Sequence, residues 1–168
     1  LVSEVPEPVE RLVEAFWPGG LTIVLPAQPS LSWDLGDTGG TVAVRMPADR
    51  IALELLEECG PLAVSSANLT KRAAAIDVHE ARGMLGDSVS VYLDGGASKT
   101  GVASTIIDAT GLVAGSSRPV RVLRDGAIRR AQLREVLGDL LEPDPADAYG
   151  EADRRPEPPA RPASDGSA

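Results

Sequence analysis

Cysteine and histidine each occur once in the 168 residues, as Cys59 and His79, and the only lysines are Lys71 and Lys99. A single cysteine excludes an internal disulfide framework and fits a reducing compartment. One histidine and one cysteine supply no zinc-type ligand set. Lysine and arginine together number 16 against 25 acidic residues, a net charge of −9. That balance excludes a broad duplex-binding surface, which needs clustered basic side chains to neutralise phosphates. Small anionic ligands stay open. No run reaches the roughly 20 apolar residues of a membrane-spanning helix. The opening LVSEVPEPVE carries acid where a signal peptide carries basic residues. The expectation is a cytosolic globular protein with one core, built from 43% hydrophobic residues.

What is present alternates between helical and strand periodicity. Val9, Leu12, Val13 and Phe16 recur at helical spacing, and Trp17-Pro18-Gly19-Gly20 stops that helix. LTIVLPA (21–27) and TVAVRMP (41–47) read as strands around the turn-rich SLSWDLGDTGG (30–40). DRIALELLEEC (49–59) places Ile51, Leu55 and Leu56 on one helical face, with Gly60 as its stop. Pro61 to Val64 form a short apolar run expected to be a buried strand. Asp77 and Glu80 have capping-box spacing, which predicts a helix beginning at Asp77. VSVYLD (89–94), STIIDAT (104–110) and VRVLRD (120–125) read as further strands before a last helix near 129–141. Interleaved strands and helices predict α/β layering.

From Pro143 onward the character changes. The last 26 residues hold six of the 14 prolines and no Leu, Ile, Val, Phe, Met or Trp. Such a segment buries too little apolar surface to order itself. The predicted organisation is therefore a domain over 1–142 and a disordered, Pro-rich acidic tail over 143–168.

Three stretches could carry chemistry. In TVAVRMP, alternation sets Thr41, Ala43 and Arg45 on the face opposite Val42, Val44 and Met46. A lone arginine among small residues suits an anion-binding floor, or else pairs with an internal acid. GPLAVSSANLT (60–70) delivers Ser65, Ser66 and Asn68 where a strand should leave the core. These residues either satisfy a turn or line a ligand crevice at a strand end. No G-x-S-x-G surrounds the serines, and His79 already belongs to a helix start, so a Ser–His hydrolase is disfavoured. GGASKTG (95–101) imitates a phosphate loop, but Ser98 stands where glycine is required and a β-like run follows. It reads as a glycine-rich connector.

Five blocks, FWPGGLTIVLPA, TVAVRMP, PLAVSSAN, DGG with STIIDAT, and VRVLRDGAI, occur in an order and spacing similar to the YrdC-like family of threonylcarbamoyl-AMP synthases. The resemblance covers about residues 9–130. It implies a twisted open mixed sheet with flanking helices and a concave ligand groove. The implied reaction joins L-threonine, bicarbonate and ATP into threonylcarbamoyl-AMP and pyrophosphate, with Mg2+ on the phosphates. The product feeds the tRNA threonylcarbamoyl-transfer machinery, and direct contact with tRNA is left open. By the same resemblance, Arg45 holds the threonine carboxylate, and the Val64 backbone and Ser104 also face the amino acid. Ser66, Asn68 and Thr41 contact the nucleotide, and Arg124 reaches the ATP phosphates. No side chain is implied as a covalent catalyst.

The family pattern also contains a T-D-T-x-Y-G-like strand and a K-x-R element upstream of these blocks, neither of which is in this sequence. The chain therefore reads as the C-terminal part of such a domain. Lys71 stands where the family has glycine, and Ala74 where it has Ser or Thr. The competing expectation is a nucleotide- or RNA-binding module of the same fold that makes no product.

Overall fold

Period-two burial in LTIVLP builds the centre of the molecule. In the computed structural model, which describes residues 1–98, 101–113 and 116–144, strand β1 (Leu21–Pro26) alternates buried and half-buried positions. Leu21, Ile23 and Leu25 point into the core, so Thr22, Val24 and Pro26 take the opposite face. β1 pairs antiparallel with β2 (Thr41–Val44) and parallel with β3 (Thr105–Asp108). β3 pairs antiparallel with β4 (Arg121–Arg124), with a register shift between Ile106 and Ile107. The sheet order is β2-β1-β3-β4. The mixed α/β sheet matches the expected fold class.

Helices close one face only. Helix α1 (Glu7–Phe16) starts after Pro6 and carries Glu7 and Glu10 in its first turn, where acid suits the helix dipole. Its Val9 and Leu12 share one apolar cluster with Leu21, Ile23, Leu25 and Ile107 of the sheet. Leu133 and Leu137 of α4 (Arg130–Leu137) complete that cluster. Beyond α4, Val120 and Leu141 form a parallel bridge, while Arg130 pairs with Asp125 and Glu142 at 3.3 Å each.

Thr105 is the one buried polar side chain among the described residues. Its hydroxyl donates to the Ile128 carbonyl at 2.7 Å and accepts from the Ile128 amide at 2.9 Å. Thr105→Val keeps the shape but strands both Ile128 groups, so a loss of about 2 to 3 kcal/mol is expected in urea unfolding. A loss below about 0.5 kcal/mol would mean that water or a shifted loop replaces the hydroxyl.

The middle of the chain behaves differently. Helix α2 (Arg50–Cys59) is capped by the Asp49 side chain, which accepts from Ala52 N, and stops at Gly60 with φ 74°. Helix α3 (Val78–Leu85) is capped by Asp77, which accepts from Glu80 N, while the Glu80 carboxylate reaches Ile76 N instead of closing the box on Asp77. Both helices were expected, yet neither has a buried residue. The predicted strands at 61–64 and 89–94 do not form: both segments are irregular, and Val64, Val91 and Leu93 are 86%, 71% and 58% exposed. Strand propensity is realised only against a paired neighbour and a covering layer, and among the described residues these segments have neither. From Ala43 to Ser104 no described residue is buried. The proposed tail boundary falls at the edge of the described residues, and 145–168 lie outside them.

Candidate functional site

The uncovered face of the sheet carries the polar cluster. Ser104, just before β3, and Arg124, ending β4, are hydrogen-bonded: Arg124 Nε donates to the Ser104 carbonyl and Nη2 to Ser104 Oγ, each at 2.9 Å. The antiparallel β3–β4 register sets Arg124 opposite Ile106, two residues from Ser104 and therefore on its side of the pleat. Ser104 Oγ also lies 3.0 Å from Thr22 Oγ1. Thr22 was not among the candidates above. Its signal was nonetheless available, because the alternation of LTIVLP turns it away from the apolar side.

Arg45 lies one residue beyond β2 and is exposed. Its Nε donates to the Gly19 carbonyl at 2.8 Å, and the Gly19 amide returns a bond of 2.8 Å to the Met46 carbonyl. Among the described residues it has no acidic partner. The next carbonyl, Gly20, accepts from Thr105 N at 2.9 Å. One turn, 17–20, thus touches both the Arg45 side chain and the start of β3. Thr41 opens β2, and its hydroxyl donates to the Thr38 carbonyl at 2.8 Å.

The SSAN segment lies elsewhere. Ser65 and Ser66 line an open cleft of ≈ 570 Å³ with Asp77, Tyr92, Gly95 and Ser98. Arg45, Ser104, Arg124 and Thr41 do not border it. Asn68 folds its own loop: Nδ2 donates to the Leu69 and Arg72 carbonyls at 3.0 Å, and its backbone amide donates to the Ser66 carbonyl at 3.0 Å. Its Oδ1 is enclosed without a partner. Within that loop Lys71 adopts φ 66°, a left-handed conformation that glycine takes without steric cost. Val64 is 86% exposed. His79 bonds to neither serine among the described residues, which leaves the hydrolase reading without geometry. Lys99 and Thr100 of the glycine-rich connector lie outside the described residues.

Chemically, among the described residues the sheet face offers Arg45 and Arg124, neither paired with a carboxylate, beside the hydroxyls of Thr22, Thr41 and Ser104, a set that recognises small anions. Among the described residues no group of three or more His, Cys, Asp or Glu could hold a metal ion. No described helix is long and apolar enough to cross a membrane.

Comparison with known proteins agrees on one family. The Sua5/YciO/YrdC family model, described as telomere recombination, matches residues 1–126. A Mycobacterium leprae protein provisionally named a threonylcarbamoyl-AMP synthase is 51% identical over 138 residues, covering 82% of this chain and 60% of that protein. The threonylcarbamoyl-AMP synthase of Pyrococcus abyssi is 37% identical over 143 residues, covering 83% of this chain and 40% of the relative. The crystal structure of P. abyssi Sua5 complexed with L-threonine aligns with a TM-score of 0.74 at 36% identity, covering 84% of this chain and 40% of that one. The chain thus spans between 40% and 60% of the length of these relatives. With a family match over 1–126 and identities of this size, the chain belongs to the Sua5/YciO/YrdC family.

Proposed function

We propose that this chain carries the amino-acid- and phosphate-binding face of a threonylcarbamoyl-AMP synthase. Such an enzyme joins L-threonine, bicarbonate and ATP, releases pyrophosphate and water, and supplies the threonylcarbamoyl donor for tRNA modification. The observation that carries the reading is the hydrogen-bonded Ser104–Arg124 pair on the open sheet face. A hydroxyl and a guanidinium held together suit a carboxylate and a phosphate chain that must meet. The relatives' names and the threonine bound to the P. abyssi protein support the same substrates.

In this reading the terminal nitrogens of Arg45 clamp the threonine carboxylate while Nε stays on Gly19. Ser104 donates to the amino acid, and Arg124 turns its remaining donors to the phosphates. Threonine amine and bicarbonate lose water to give a carbamate. A carbamate oxygen then bonds to the α-phosphorus, and the bond to the β-phosphate bridging oxygen breaks with pyrophosphate as leaving group. The protein contributes position and charge rather than a covalent nucleophile. Mg2+ belongs to the triphosphate, since this ion is held largely by substrate phosphates and water and needs few protein carboxylates. Ser66, Thr41 and the Val64 backbone take the remaining nucleotide and amino-acid contacts that the family resemblance assigns, and Asn68 holds the loop beside Ser66.

The test is pyrophosphate release with ATP, L-threonine, bicarbonate and Mg2+, run with and without threonine. Threonine-dependent release supports the synthase; ATP binding with no release under these conditions favours the binding module. Arg45→Ala should weaken L-threonine by about 2 kcal/mol and ATP much less. Equal losses for both ligands would mark Arg45 as a brace for the 17–20 turn instead of a carboxylate clamp.

A further inference from the structure

Ser104 sits in a hydrogen-bond chain whose proton count is constrained. Arginine can only donate, so the 2.9 Å bond from Arg124 Nη2 fills one lone pair of Ser104 Oγ. Thr22 and Ser104, both half-buried, share one bond of 3.0 Å in which either can donate. Two hydroxyl hydrogens serve one bond, so one hydrogen is left for the open face. If Ser104 donates to Thr22, the spare hydrogen belongs to Thr22. If Thr22 donates, both lone pairs of Ser104 are filled and its hydrogen is the only unused part of the hydroxyl.

We propose that Thr22 is a substrate-positioning residue: by donating to Ser104, it leaves the Ser104 hydrogen to be given to the carboxylate of the bound amino acid. An anionic acceptor beside Ser104 selects this proton arrangement, because it draws the Ser104 hydrogen outward. Among the described residues, Thr22 is then the donor available to fill the second lone pair. The parallel register supports the geometry, since Thr22 lies opposite Ile106, and Ser104 shares that side of the pleat two residues earlier. The assignment rests on the proposed function, in which the ligand at Ser104 is L-threonine.

Calorimetric titration of L-threonine and of ATP into the 168-residue chain and its Thr22→Val and Thr22→Ser variants tests it. Valine keeps the branched shape and removes the hydroxyl; serine keeps the hydroxyl. Thr22→Val should weaken L-threonine about tenfold and leave ATP within about twofold, while Thr22→Ser stays near wild type. In a Ser104→Ala background, Thr22→Val should cause no further loss, as expected when one residue acts through the other. Thermal unfolding checks each variant, with Thr22→Ala as the alternative if the valine chain does not fold.

Wild-type-like threonine affinity in Thr22→Val would overturn the assignment while leaving the threonine site standing. So would equal loss for both ligands, loss not rescued by serine, or additive loss with Ser104→Ala. A wild-type chain that takes up ATP but no L-threonine would overturn the proposed function, and this assignment with it.

Discussion

Replacing Gly126 with alanine is expected to cost about 3 kcal/mol of stability, at the severe end for a single added methyl group. A Cβ there would collide with the Ala103 carbonyl oxygen, and would lie 2.5 Å from Ser104 C and 2.6 Å from Thr105 N. These are backbone atoms, so no side-chain rotation relieves the overlap. The flanking chain cannot drift away freely, because Ala127 N bonds to the Ala103 carbonyl and Ile128 is bonded twice to Thr105. The start of β3 must shift, and Ser104 with it, so L-threonine affinity should fall in the same variant. Gly83→Ala is the control, since nothing lies within 4 Å of its added carbon and a helical alanine replaces glycine favourably. Urea unfolding measures both variants. A Gly126→Ala loss under about 1 kcal/mol would show that the 125–128 loop moves independently of β3.

Hydrogen exchange should divide the same chain into two tiers. Amides of α1, β1, β3 and α4 surround the buried cluster and should exchange only by global opening. Amides of α2 and α3 should exchange on the order of a hundredfold faster or more, because ten- and eight-residue helices without buried faces are marginal alone. The measurement is exchange mass spectrometry on the isolated chain. Equal protection of α2 and β1 would mean that this middle region folds cooperatively with the core although none of its described residues is buried. Added L-threonine and ATP should slow exchange selectively in 60–70 if SSAN closes over the nucleotide.

The legible parts of the fold are those whose cause is local. Helical spacing of Val9 and Leu12, the Asp77 cap, the Gly60 stop and the alternation in LTIVLP all act within a few residues, and all reappear in the structure. The strands expected at 61–64 and 89–94 fail for the opposite reason. Their apolar runs state a preference that only a neighbouring strand could satisfy. At the candidate site, the family resemblance pointed to Ser104 and Arg124 separately. Their direct bond depends on the β3–β4 register across 20 residues, which no local pattern encodes. Thr22 stands out little in the sequence, because a threonine in a strand is ordinarily explained by propensity alone. Only its approach to Ser104, 82 residues away, gives it a partner. Both amide hydrogens of Asn68 are spent on its own loop, the turn use that SSAN also allows.

The Gly19 carbonyl that receives Arg45 Nε also has an entropic consequence. An unrestrained arginine carries about 2 kcal/mol of rotamer freedom, some of which is lost when it grips a ligand. Here part of that loss is already incurred during folding, before any anion arrives. The 17–20 turn therefore works as a preload on the side chain, and its effect on affinity would persist even though no atom of Gly19 touches the ligand.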